Sequence, residues 1–272
     1  MKHWRKYELR ISVNCPSYKR PKVETLKYLP FCKVWVCETE YNKYIAANPN
    51  HKENIIACPQ GIQGNLCRIR NYILDKEFEA GADVVLLVDD DMRAVSYYES
   101  PKGEKFGYKR NLITTDEFLP FIEHYSRICS EFGFYFWGIN CNKDARSYSQ
   151  QTPFSTVSYI GGPFQCFLRG NECRYDEELP LKEDYDMTIQ NCNKYRGCLR
   201  VNKFHYDVKQ AVQAGGCATY RNYEREAQQL DALRKKWGSR IVKIDTSNKG
   251  KTKKEKVKFD FNPIIKVPIK GV

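Results

Sequence analysis

The sequence is short of several things that would have defined it at once. Its 12 cysteines are irregularly spaced and include no C-x-x-C pair, so neither a zinc ribbon nor a thioredoxin-like motif is indicated. There is no uninterrupted apolar run of about 18 residues, and none of the chain is expected to span a membrane. The first residues, Met1-Lys2-His3-Trp4-Arg5-Lys6, lack the apolar stretch of a signal peptide. The expectation is a cytoplasmic protein with reduced thiols. Cys32, Cys37 and Cys166 fall in strand-like patterns, where cysteine acts as a small buried hydrophobe. Internal repeats are also missing. Acidic residues are the minority charge, 33 against 45 Lys and Arg, for a net charge of +12. Such a surface favours phosphate polymers, nucleic acid above all, through counterion release and steering. Aromatics are plentiful, with 19 Tyr and 14 Phe, which rules out a disordered chain. At 272 residues the chain makes one large or two small domains with a sizeable core.

The first half alternates strand and helix signals. Strands are predicted at Tyr7–Cys15, Val34–Cys37, Ile55–Cys58 and Asp83–Val88. Helices are predicted at Lys22–Leu29 and from Asn65, as cap, to Glu79, with Gly81 just beyond. This order predicts an α/β fold with a mostly parallel, doubly wound sheet. In the second half, Thr115 is read as the cap of a helix over Asp116–Glu131. Strands follow at Phe132–Cys141, Thr156–Ile160 and Phe164–Leu168, with 144–155 as a loop. A helix over Glu183–Tyr195 and a strand over Leu199–Tyr206 come next. Asn222 then caps a helix stopped by Gly238, and Ile241–Ile244 is a last strand. A basic segment, Lys249–Lys256, leads to an edge strand or appended arm at Val257–Val272, which carries two prolines.

The stretch Val84-Val85-Leu86-Leu87-Val88-Asp89-Asp90-Asp91 carries the most chemistry. Five apolar residues in a row mark a strand covered on both faces. Three carboxylates are costly to desolvate and should lie beyond its carboxyl end, the edge where open α/β sheets bind ligands. Clustered there, they repel one another unless a cation neutralises them, and Mg²⁺ or Mn²⁺ suits oxygen ligands best. A charged turn is the plainer reading of the triplet alone.

The first strand runs into Asn14-Cys15-Pro16-Ser17-Tyr18-Lys19-Arg20-Pro21. This resembles the opening of GT-A-fold glycosyltransferases, Pro-x-Tyr-Asn-Arg, with Lys19 in place of the usual Asn. Arg70-Asn71 stands in the helix before the aspartates, Asp89-Asp90-Asp91 falls where that family has Asp-x-Asp, and Glu183-Asp184 opens a helix after a Gly-Gly segment. The match covers roughly residues 8–210. The resemblance implies a Rossmann-like GT-A domain over 1–245, with a nucleotide-sugar half (1–100), an acceptor half (101–245) and a basic extension (246–272). It further implies a nucleoside diphosphate-sugar donor, UDP-sugar first, bound by Pro16, Ser17, Tyr18, Arg20, Glu38, Asp89 and Asp90, with Arg68 or Arg70 on the diphosphate. Mn²⁺ or Mg²⁺ is then held by Asp91 and Asp89, with His205 as a further ligand. Asp184 is the candidate general base, with Glu183 and Asp186 as close alternatives. A capping role for these acids, a structural role for His205 and a solvent-facing role for Arg68 are the bland readings.

Charge points to the acceptor. Lys105, Lys109 and Arg110, with Phe106 and Tyr108 between them, are placed in a loop after the aspartates and suit a phosphate backbone with stacked bases. A small basic GT-A enzyme without an anchor resembles the phage TET-associated glycosyltransferases. That implies transfer to the hydroxymethyl group of 5-hydroxymethylcytosine in DNA. A GT-A enzyme acting on polysaccharide, lipid or protein is the nearest rival. A metal-dependent nuclease or nucleotidyltransferase, or a basic binding module without catalysis, are the others.

Overall fold

A computed structural model describes residues 9–99, 109–145, 148–208, 216–245 and 260–267. The first half follows the predicted alternation. Strand β1 (Ile11–Pro16), helix α1 (Thr25–Tyr28), β2 (Lys33–Cys37), α2 (Tyr41–Ala47), β3 (Ile55–Cys58), α3 (Leu66–Glu79) and β4 (Val84–Val88) come in that order. β1 pairs in parallel with both β2 and β4, and β2 with β3. All five residues of β4 are buried, as a strand covered on both faces requires. The Asn65 side chain caps α3 by accepting from the amides of Cys67 at 2.9 Å and Arg68 at 3.3 Å. Gly81, at φ +94°, turns the chain out of this helix in the left-handed region that glycine tolerates.

The second half departs more from expectation. It comprises β5 (Met92–Glu99), β6 (Lys109–Leu112), α4 (Thr115–Glu131), β7 (Phe136–Asn140), β8 (Phe154–Ser155), β9 (Phe164–Leu168), α5 (Glu183–Tyr195), β10 (Leu199–Val208), α6 (Tyr223–Trp237), β11 (Val242–Asp245) and β12 (Asp260–Ile265). The main sheet has ten strands in the order β3-β2-β1-β4-β9-β7-β10-β5-β6, with β8 beside β10. β9, β5 and β8 run against the other strands. The pair β5–β6 had no counterpart in the expected elements, and Lys109 and Arg110, expected in a loop, lie on β6. Lys105, Phe106, Tyr108 and the basic run 249–256 lie outside the described residues. No strand forms over Thr156–Ile160, which bends; the short strand is β8, just before it. The cap of α4 is Thr114, not Thr115: Thr114 Oγ1 accepts the Glu117 amide at 3.3 Å while Glu117 Oε2 accepts the Thr114 amide at 2.9 Å, a reciprocal capping box.

Two apolar layers cover the sheet. One gathers Leu26, Val34, Leu86, Phe118, Trp137 and Phe164. The other gathers Ile69, Ile73, Val85, Leu87, Phe136 and Phe167. Val85 and Leu87 face one layer and Leu86 the other, the period-two alternation of a strand. A third cluster of Tyr185, Ile189, Leu230, Leu233 and Val242 docks α6 and β11 on α5. Of the eleven cysteines described, ten are buried, and burial pushes the thiols of Cys129 and Cys166 upward, so they are inert packing groups. β12 pairs antiparallel with β11, and the register slips between Lys243 and Asp245. Pro263 thus sits in an irregular stretch of a two-stranded ribbon, where a missing donor is tolerated.

Candidate active site

The carboxyl ends of β1 and β4 lie side by side and open onto a cleft of about 540 Å³. Pro16, Ser17, Tyr18 and Arg20 line one part of it, Asp89, Asp90 and Asp91 another, and Arg70, Glu183 and Asp184 a third. The turn after β1 passes through Lys19 at φ +54°. That is the left-handed region Asn adopts most readily among residues with a side chain, and it is the position where the GT-A pattern has Asn. The turn is tied to the aspartates: Ser17 Oγ donates to Asp90 Oδ2 at 2.6 Å, and Arg20 Nη1 forms an ion pair with Asp90. Thr25, at the start of α1, holds the aspartate backbone, donating from Oγ1 to the Asp89 carbonyl at 2.6 Å and accepting the Met92 amide at 2.9 Å.

The three aspartates are compensated unequally. Arg20 serves Asp90, and Arg70 Nη2 reaches Asp89 Oδ1 at 3.1 Å. Asp91 has Arg20 only at 3.9 Å. Burial, with the charges of Asp89 and Asp90 added, pushes the Asp91 carboxyl up to about 7. Among the described residues no three His, Cys, Asp or Glu side chains are grouped to hold an ion. Asp89 and Asp91 supply hard oxygen donors at the mouth of a cleft, which fits a divalent cation whose other ligands come from a phosphorylated substrate or water.

Arg70 is the centre of the arrangement. Its side chain is 1 % exposed. It donates to Asp89, to Glu183 Oε1 at 3.2 Å and to the Gly162 carbonyl at 3.0 Å. The forked guanidinium therefore joins the two acid groups, where a diphosphate contact had been expected. Gly162 also donates its amide to Asp184 Oδ2 at 3.3 Å, so the Gly-Gly turn threads between arginine and acid. Tyr159 Oη donates to the same Asp184 oxygen, and Tyr159 stacks on Tyr185 at 4.3 Å. Glu183 is buried beside Asp184; burial and that neighbour outweigh Arg70 and push its carboxyl up to about 8. Asp186 points away, accepting from Trp237 Nε1 at 2.7 Å and Lys236 Nζ at 3.0 Å.

Three expected residues are not brought to the cleft. Arg68 turns outward to Glu177 at 2.8 Å. Glu38 is exposed and accepts the Gln60 amide at 3.1 Å. His205 is buried on β10 and stacks on Tyr98 at 5.2 Å. Its neighbour Tyr206 lines the cleft, and alternation along the strand puts His205 on the other face. The structure does not bring His205 to the cleft with Asp89 and Asp91. Conversely Tyr159, Tyr206, Tyr220 and Asn262 line the cleft without having been anticipated. Of these only Tyr159, two residues before the Gly-Gly pair, stood next to a motif.

The fold and the cleft define a mixed α/β protein with an acid-lined pocket at its strand ends, bridged by one buried arginine. The family model of the TET-Associated Glycosyltransferases matches residues 27–216, more than half of the chain, and the chain belongs to that family. It is accordingly a glycosyltransferase, and the matched span contains the aspartates, Arg70 and the Glu183-Asp184 pair. Among solved structures, the crystal structure of A197 from STIV is 10 % identical, covering 75 % of this chain and 87 % of that one, at a TM-score of 0.38. No curated protein matches.

Proposed function

We propose that this is a GT-A-type, metal-dependent enzyme that transfers a sugar from a nucleoside diphosphate-sugar, UDP-sugar first, to the hydroxymethyl oxygen of 5-hydroxymethylcytosine in DNA. The observation that carries it is the pairing of two acid groups across one cleft, Asp89–Asp91 and Glu183–Asp184, held by Arg70. The Asp89–Asp91 side is the donor side, with Ser17, Tyr18 and Arg20 as its wall. Asp91 and Asp89 would hold Mn²⁺ or Mg²⁺, which would supply positive charge to the leaving diphosphate. Residues 1–100 then form the donor half and 101–245 the acceptor half of one domain; the basic segment 246–272 adds DNA affinity in the cytoplasm, and its strand β12 brings Asn262 to the cleft. No helix among the described residues is long and apolar enough to cross a membrane.

In the inverting form of the reaction, the acceptor hydroxyl oxygen bonds to C1 of the sugar as the C1–diphosphate bond breaks. The hydroxyl proton passes to Asp184. Asp184 lines the cleft and is aimed by Tyr159 Oη and the Gly162 amide. Glu183 is the poorer base, since its carboxylate is buried and already engaged by Arg70 at 3.2 Å; it positions Arg70.

The test is UDP release from a panel of UDP-sugars with Mn²⁺, on duplexes containing cytosine or 5-hydroxymethylcytosine. Release that requires the hydroxymethyl group, lost in Asp91→Ala while DNA binding persists, supports the reading. Release indifferent to DNA moves the acceptor to a polysaccharide, lipid or protein. DNA cleavage without release replaces it with the nuclease reading.

A further inference from the structure

An acceptor that is a polyanion cannot lay its phosphates in a cleft lined by Asp89, Asp91 and Asp184. Backbone contacts must come from cations beside the cleft, since phosphate contacts set register while the modified base enters the site. Two strands lead out of the cleft to such a place. Asp91 and Val208 line the cleft; Arg93 on β5 follows Asp91 by two residues, and Asp207 on β10 precedes Val208, its side chain on the face of the strand end that carries His205 and not the cleft-lining Tyr206. Met92 is opposite Val208 while Ala94 is opposite Asp207, so Arg93 is the extra residue of a β-bulge, a device that re-aims a side chain. Arg93 is exposed.

The neighbouring positions are basic as well. Arg110 on β6 and Lys143, in the loop after β7, both form ion pairs with Asp207, Lys143 at 2.8 Å. Their side chains remain 45 % and 44 % exposed. Arg110 Nη2 is held by Ser96 Oγ at 2.7 Å. Partial burial, with Arg110 and then Arg93 nearby, lowers the Lys143 pKa, so the three cations share one field. One carboxylate against three cations leaves net positive charge. Beside it the Tyr98 ring lies parallel to His205, 17° between planes.

We propose that Arg93, Arg110 and Lys143 form the DNA-backbone track of this enzyme, seating a duplex along the β5–β6 end of the sheet so that the target base meets the cleft. The assignment rests on the DNA acceptor proposed above. Asp207 is the brake on this surface, positioning Arg110 and Lys143 while limiting their pull on phosphate.

The experiment measures binding of a 5-hydroxymethylcytosine duplex by fluorescence anisotropy from 50 to 200 mM salt, together with KM and kcat for the duplex. Each phosphate contact contributes a slope of about 0.9 in log K against log salt, so it weakens binding roughly 3.5-fold over this range. Arg93→Gln/Lys143→Gln should lower the slope by about 1.8, with a loss in KM rather than in kcat. Asp207→Asn should act in the opposite direction, tightening binding and steepening the slope, which a merely structural role for the cluster would not do. Lys43→Gln/Lys52→Gln, exposed on α2 and the turn after it, removes the same charge elsewhere and should leave the slope unchanged. Circular dichroism confirms that each variant folds. Equal slopes in wild type, the Arg93/Lys143 pair and Asp207→Asn, with transfer to DNA intact, overturn the track alone. Failure of the wild type both to bind and to modify DNA overturns the acceptor reading and the track with it.

Discussion

Replacing Arg70 with methionine should uncouple the two acid groups, and the cost follows from the contacts it breaks. Methionine roughly fills the volume but donates nothing to Asp89, Glu183 or the Gly162 carbonyl. Removing one partner of a buried ion pair costs about 3–5 kcal/mol. The Asp89 side chain is 35 % exposed, so solvent screens its share and the low end applies, about 3 kcal/mol. For a chain of this size that is a fall in Tm of about 6–12 °C. The deficit should depend on pH with a definite sign. Glu183 is already raised in the native protein, so its contribution to stability is full below its ordinary value near 4.5 and is lost as pH rises towards about 8. Without Arg70 its folded-state pKa rises further, so ionising it costs more. The deficit of Arg70→Met should therefore be larger at pH 9 than at pH 6. Differential scanning fluorimetry at the two pH values measures both effects. A Tm within 2 °C of wild type, or a deficit that shrinks as pH rises, would refute the reasoning.

Other consequences can be checked the same way. Asp91→Asn removes a carboxylate whose folded pKa is raised, so it should abolish transfer yet raise Tm at pH 8; Mn²⁺ should raise the Tm of the wild type and not of the variant. His205 has its pKa held down at about 4, first by burial and then by Arg110 and Lys143. A depressed histidine stabilises above its unfolded value and loses that contribution as pH falls from 6.5 to about 4, up to about 3 kcal/mol; urea titrations should show this slope in wild type and not in His205→Gln. At Gly161 an added Cβ would lie 2.3 Å from the Tyr206 hydroxyl. Gly161→Ala should therefore cost about 1–3 kcal/mol by overpacking and lower kcat more than the KM for donor, measured by UDP release.

How much of this was legible in the sequence depends on the kind of signal. The strand ending in Asp89-Asp90-Asp91 was plain, because five apolar residues meeting three carboxylates leave the acids only the strand end. The cap at Asn65 and the stop at Gly81 were plain for the same local reason. Arg70 could have been separated from Arg68, since residues two apart on a helix do not share a face. Arg70 falls on the buried stripe of Cys67, Ile73 and Leu74, and Arg68 does not. The same rule divides Asp184 from Asp186. His205 does not line the cleft because one residue along a strand reverses the face, and nothing local fixes which face meets the cleft. The sheet order beyond β4 was out of reach, as β9, β7 and β10 interleave through pairings far apart in sequence. Tyr206 reaches the cleft through those pairings and Asn262 through the β11–β12 ribbon. β5 was missed because its apolar and polar residues alternate too weakly beside the acidic turn.

The central claim is that the acid-lined cleft delivers a sugar to a modified base, and nucleoside mass spectrometry tests it most directly. Duplex DNA carrying 5-hydroxymethylcytosine is incubated with the protein, Mn²⁺ and a mixture of UDP-sugars, then digested to nucleosides. The account predicts a new nucleoside heavier than 5-hydroxymethyl-2′-deoxycytidine by one sugar residue, formed by the wild type and missing with Asp91→Asn. An unmodified digest, alongside donor turnover on a non-nucleic-acid acceptor, would contradict it.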